Sequence, residues 1–92
     1  MAIVTRRYWA AAKEAAGTAE ETISARTLAE ALAAAQGKAG DDVQTRQNSR
    51  LQAVLARSSF LIDGTPVGTR APETVVLSDA AVIEVLPPFA GG

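Results

Sequence analysis

The 92-residue chain has no cysteine and no histidine. Without cysteine there is no disulfide framework and no thiolate nucleophile. Without either residue, a zinc or haem site of the usual kind and a Cys–His or Ser–His catalytic pair are excluded as well. Any covalent chemistry must therefore use another group. Charge of one sign is also missing. Nine Lys and Arg stand against ten Asp and Glu, for a formal net charge of -1, so the composition carries no basic excess of the kind that nucleic acid or an anionic membrane attracts. No apolar run approaches the ~20 residues of a membrane span. The opening stretch "MAIVTRRYWAAAKEAAG" is interrupted by Arg6, Arg7, Lys13 and Glu14. It lacks the apolar core of a signal peptide, and no long apolar run follows Arg6-Arg7 as a twin-arginine signal requires. The expectation is a soluble cytoplasmic protein with neither nucleic acid nor membrane as partner. Repeats and low-complexity linkers are absent too. What remains is ordinary: 48% hydrophobic and 21% charged residues, enough for one domain with a modest core.

Ile3–Trp9 reads as a strand, rich in β-branched and aromatic residues. Ile3, Thr5, Arg7 and Trp9 share one face; Val4, Arg6 and Tyr8 share the other, where Arg6 fits badly. Ala10–Ala16 favours a short helical turn closed by Gly17. Glu21–Ala25 reads as a second strand with Ile23 as its one large apolar anchor. "TLAE", Thr27 to Glu30, is a capping box. It opens a helix from Leu28 to about Gln36, with Leu28, Ala31, Leu32 and Ala35 as an apolar stripe and Gly37 as its end. Lys38–Asn48 is polar and reads as a loop. Ser49 is placed to cap a short second helix, Arg50–Arg57, with Leu51, Val54 and Leu55 inward. In "SFLIDGTPV" a strand ending at Ile62 meets Asp63-Gly64, the dipeptide of a type I′ hairpin turn. Pro66 then falls in a short edge strand. Val75–Leu77 is a further apolar run, Ser78-Asp79 a turn, and Ala81–Leu86 the last strand. This order predicts an α+β fold: a mixed sheet with one main helix packed across it plus a short second helix, the first and last strands being central neighbours.

The last strand alternates. Ile83 and Val85 point one way; Val82, Glu84 and Leu86 point the other. Glu84 marks the second face as the solvent face. Leu86 then lies outside, and Trp9 with it if the first and last strands pair. Such an exposed apolar patch, with Phe89 beside it, suits a partner surface. The alternative is that this face is covered locally, or that Trp9 closes a corner of the core.

The sequence stops with "LPPFAGG". Gly91 and Gly92 lack a Cβ, so this end can thread a channel that side chains would block. Pro87 and Pro88 hold its base extended. Leu86 to Gly92 spans at most roughly 20 Å at ~3.3 Å per residue. The one reactive group there is the α-carboxylate, which an ATP-using partner can activate as an acyl-adenylate. Chance yields a Gly-Gly end about 0.5% of the time at ~7% glycine usage; a strand and "PPFA" before it make the pattern more specific.

"VLPPFAGG" resembles the C-terminal signature of the MoaD family, the small subunits of molybdopterin synthase within the MoaD/ThiS superfamily of ubiquitin-like sulfur carriers. "RYWAAAKEAAG", "TLAEAL" and "FLIDG" resemble that family's first strand and turn, helix start and central hairpin. The resemblance spans nearly the whole chain except Lys38–Asn48. It implies a β-grasp domain over residues 1–86 and a flexible functional tail over 87–92. It implies that Gly92 is adenylated by an E1-like enzyme using ATP and magnesium, with no cofactor or metal bound permanently by this chain. A sulfurtransferase then makes a thiocarboxylate, and Pro87, Pro88, Phe89, Ala90 and Gly91 enter a pocket of the large subunit in a heterotetramer. There the thiocarboxylate gives sulfur to cyclic pyranopterin monophosphate, and catalysis proper belongs to the large subunit. Trp9, Pro66 and Leu86 are the expected docking residues. Two features depart from the pattern: Ser78-Asp79-Ala80-Ala81 replaces the usual "DGDE", and Arg6 stands where an apolar residue is usual. With the polar loop, they leave a specialised paralogue open. A carrier for thiamine, cysteine or tRNA thiolation, a protein modifier that joins Gly92 to a target lysine, and an interaction domain with an inert end are the alternatives.

Overall fold

The computed structural model describes residues 2–34 and 42–88, the side chains of 42–48 excepted. Strand β1 (Ala2–Tyr8) leads into helix α1 (Ala10–Ala16), which Gly17 closes at φ 75°. The Gly17 N–H completes the last helical bond to the Lys13 carbonyl, at 2.9 Å, and its left-handed φ, which a Cβ disfavours, turns the chain out of the helix. Strand β2 (Glu20–Ala25) returns antiparallel to β1. Helix α2 (Leu28–Ala33) starts at the expected box: the Thr27 hydroxyl accepts from the Glu30 N–H at 3.3 Å. The Glu30 carboxylate reaches back to the Arg26 N–H at 2.8 Å, one residue beyond the cap itself.

Helix α3 (Asp42–Leu55) corrects the expectation for this region. Most of the polar segment read as a loop, Lys38–Asn48, belongs to a 14-residue helix, and Ser49 lies inside it rather than capping a shorter one. The stretch holds helix formers such as Gln44, Arg46 and Gln47, but its large apolar stripe begins only at Leu51. Periodicity therefore had nothing to register in the first half. The helix taken as the main one, α2, has six residues and stops short of the expected Gln36: Ala34 already takes an extended backbone, φ -61° and ψ 125°, while residues 35–37 lie outside the described residues.

Strand β3 (Ser59–Ile62) and β4 (Thr65–Pro66) form the hairpin. Asp63 and Gly64 stand at φ 50° and 84°, the two positive values that a type I′ turn needs. The turn also binds the neighbouring strand: the Asp63 carboxylate accepts from the Val82 N–H at 3.0 Å, and the Asp63 N–H donates to the Val82 carbonyl at 2.9 Å. A 3-10 turn (Pro72–Thr74) precedes β5 (Val82–Leu86). The sheet order is β2-β1-β5-β3-β4, with β1 and β5 parallel at its centre and every other pair antiparallel.

The core lies on one face of this sheet. Val4 and Ile83 pack there against Leu28 and Ala31 of α2; Tyr8 and Val85 pack against α1 and the α3 residues Leu51 and Leu55. Phe60 joins both groups. The third inward residue of β1 is Arg6, which has no exposed surface at all. Its guanidinium Nη1 donates to the carbonyls of Ala31, at 2.6 Å, and Ala34, at 3.1 Å. These are carbonyls at the end of α2, which helix geometry leaves without intrahelical donors. Nη2 contacts the Glu21 carboxylate at 3.3 Å, and Nε donates to the Tyr8 hydroxyl at 2.5 Å. The Tyr8 hydroxyl in turn donates to Glu21. Arg6 thus serves as the C-terminal cap of α2, supplied from a strand 25 residues earlier.

Candidate functional site

The opposite face of the sheet is defined by alternation. Ile3, Thr5 and Arg7 of β1 point away from the helices, as do Glu20, Thr22 and Ser24 of β2 and Val82, Glu84 and Leu86 of β5. Register places Arg7 opposite Glu20 on one side and Glu84 on the other. Leu61 pairs with Glu84 and with Pro66, so this charged row ends in an apolar pair at the β4 edge.

The next row lies at the end of the sheet where the C-terminal segment leaves. Tyr8 pairs with Val85 as the last β1–β5 match. Trp9 keeps an extended backbone, φ -122° and ψ 151°, and so turns to the outer face beside Leu86. Trp9 is 46% exposed and Leu86 half-buried. Leu86 also pairs with Ser59 of β3. Trp9 and Leu86 thus each follow the last β1–β5 match by one residue, at neighbouring register positions. Pro66 lies two strands from Leu86, exposed, with Leu61 between them in the next row. Leu61 was missed by sequence reasoning, although its place one residue before Ile62 in an alternating strand was a usable signal. Exposed Ile3 belongs to the far end of the same face. Val76, 79% exposed, lies off the sheet, where residue 76 bridges to Thr27.

The base of the C-terminal segment is anchored. Pro87 is buried and Pro88 exposed. The remaining tail residues named from sequence, Phe89, Ala90, Gly91 and Gly92, lie outside the described residues. Among the described residues there is no group of three or more carboxylates that could hold a metal ion, and no helix is long and apolar enough to cross a membrane. Among the described residues, the one strongly perturbed group is Tyr8. Burial, with the hydrogen bond to Glu21, pushes its hydroxyl well above the usual tyrosine value. It faces the core and not the exposed sheet, so its role is structural.

A five-stranded mixed sheet with helices on one face only, and two parallel strands at its centre, is the β-grasp, or ubiquitin-like, arrangement. The ThiS family model matches residues 7–92, and the chain belongs to that family. Solved structures agree on the fold. The small archaeal modifier protein 1 from Methanosarcina acetivorans superposes with TM-score 0.75 at 24% identity, covering 100% of this chain and 98% of its own. A chain in the structure of the complex of subunits 1 and 2 of the molybdopterin-converting factor from Helicobacter pylori gives TM-score 0.63 at 24% identity, covering 98% of this chain and 99% of its own. A putative molybdopterin converting factor subunit 1 from Pyrococcus furiosus gives 0.66 at 19%, covering 97% and 100%. No curated protein matches the chain significantly.

Proposed function

We propose that this protein is a sulfur carrier and the small subunit of molybdopterin synthase, acting through the carboxylate of Gly92. The observation that carries this reading is the setting of "LPPFAGG": it leaves a central strand whose last residue, half-buried Leu86, lies on the outer face at the register position next to exposed Trp9. A chain without cysteine or histidine has few other groups to offer for covalent chemistry. Residues 1–86 form the docking domain and 87–92 the functional tail. An E1-like enzyme forms the acyl-adenylate from Gly92 and ATP, releasing pyrophosphate; the sulfurtransferase's persulfide displaces AMP to give an acyl disulfide, a second thiol cleaves its S–S bond to leave the thiocarboxylate and a disulfide, and the thiocarboxylate serves cyclic pyranopterin monophosphate in the large subunit's pocket. Trp9, Leu86 and Pro66 hold the domain, and buried Pro87 fixes the base from which Pro88 to Gly91 enter that pocket. Such a role belongs in the cytoplasm, where the activating enzyme and sulfurtransferase are found. The complexed subunits from Helicobacter pylori support a partner of this kind.

A second reading is a protein modifier, favoured by the superposition on small archaeal modifier protein 1. Intact-mass spectrometry separates the two. The purified chain is incubated with an E1-like enzyme and ATP, with or without a persulfide donor. A gain equal to oxygen replaced by sulfur, mapped to Gly92 and lost on deletion of Gly92, is the expected result. Attachment of the chain to lysines of other proteins, without that gain, would establish the modifier instead. Deletion of Gly92 leaves stability nearly unchanged, because a terminal residue past the last strand contributes little folding energy.

A further inference from the structure

The hairpin leaves a gap at the edge of the sheet. Strand β4 has only two residues, and the Val67 N–H to Phe60 carbonyl bond, 3.0 Å, is the last contact of its ladder. Gly68 then adopts φ 66° and the chain turns away. The start of β3 is consequently uncovered on this side. A pocket of about 290 Å³ fills the space, floored by Leu28, Phe60 and Val67, with Ser59, Pro66 and Arg70 at its rim. This is at the lower limit of small-molecule clefts, which run ~300–1,000 Å³. It suits one or two side chains better than a cofactor.

Two features say what covers it. The pocket is continuous with the proposed docking patch: Ser59 pairs with Leu86, and Pro66 pairs with Leu61 on the outer face. Its rim also carries a positive charge, that of exposed Arg70. Arg70 lies across the end of β4, with Nε donating to the Val67 carbonyl at 3.0 Å and Nη2 to that of Pro66 at 3.4 Å. Nη1 has no hydrogen-bond partner among the described residues, and Arg70 has no ion pair there; Arg6–Glu21 is the one present. A guanidinium pinned by backbone carbonyls is pre-organised to receive a carboxylate.

We infer that the partner which receives the tail also wraps the β4 edge, placing one apolar side chain in this pocket and a neighbouring carboxylate on Arg70. This rests on the docking reading above and adds a second anchor to it, on the edge of the sheet instead of its face. An anchor at each end of the patch fixes the rotation of the domain as well as its position. The tail is thereby aimed.

The test is binding of the full chain to the purified large subunit from the same organism by calorimetry. The variants are Ser59→Trp, which crowds the mouth on the side next to Leu86, Arg70→Glu, which lies off the sheet face and so tests the edge by itself, and Leu86→Asp as the mark of the sheet face. Amide spectra of each variant confirm an intact fold. Ser59→Trp and Arg70→Glu are each expected to weaken binding tenfold or more, as loss of a buried anchor or of a paired charge does. The Arg70→Glu loss shrinks at high salt and the Ser59→Trp loss does not. Loss with Leu86→Asp but wild-type binding by Arg70→Glu would overturn the edge anchor, whatever Ser59→Trp does, while leaving the sheet-face reading in place. Wild-type binding by Leu86→Asp would overturn the sheet-face reading. No binding by the wild-type chain would remove both.

Discussion

Replacing Arg6 by methionine tests the account of the fold most directly. Methionine keeps an apolar stem of similar reach and removes the guanidinium. The Ala31 and Ala34 carbonyls lose their donor, and the Glu21 carboxylate, 19% exposed, loses its cation. Removing one partner of a buried pair costs ~3–5 kcal/mol. Because Glu21 retains some water, the lower end, about 3 kcal/mol, is expected. For a domain of this size that corresponds to a fall in Tm of roughly 10–25 °C, a large share of a total stability of ~5–15 kcal/mol. The double variant Arg6→Met with Glu21→Gln removes the stranded charge, and its side-chain carbonyl can still accept from the Tyr8 hydroxyl. It should recover about half of the loss. Urea unfolding of the wild type, both single variants and the double variant gives the coupling. A loss under ~1 kcal/mol for Arg6→Met, or no recovery in the double variant, would refute the view that this buried arginine is stabilised by those partners.

Two further predictions concern single contacts. Tyr8 is the only tyrosine, and its hydroxyl is held above the ordinary value by burial and by Glu21. Its contribution to stability is therefore complete below pH ~10, the unfolded value, and is lost as pH rises from there towards the folded value. Urea unfolding from neutral pH to pH ~11 should show a decline that is smaller in Tyr8→Phe, with tyrosinate absorbance in the wild type appearing only on unfolding; identical alkaline slopes in both proteins would count against it. Thr27→Ala removes the cap of α2 and is expected to cost about 1 kcal/mol, read as a lower urea midpoint at unchanged slope.

Local chemistry was legible wherever the responsible groups are close in sequence. Asp63-Gly64 specifies its turn because both positive φ values fall on residues that tolerate them. Thr27 and Glu30 specify a helix start, and Gly17 a helix end, within a single turn each. Alternation in Val82–Leu86 was enough to assign inside and outside, and with the pairing to β1 it placed Leu86 and Trp9 on one face. The tail motif needed no fold to be noticed.

Other features depend on partners that the sequence does not bring together. Arg6 looked misplaced between Val4 and Tyr8 because its acceptors are the carbonyls of residues 31 and 34 and a carboxylate fifteen residues away. Only the packing of α2 on β1 puts them within reach of one guanidinium, so only the tertiary structure could make its burial tolerable. The reach of α3 was hidden for a related reason: its first half offers no periodic apolar stripe. The pocket beside Arg70 is likewise a product of topology. It exists because a two-residue strand stops short of its neighbour and leaves an edge that no local pattern announces.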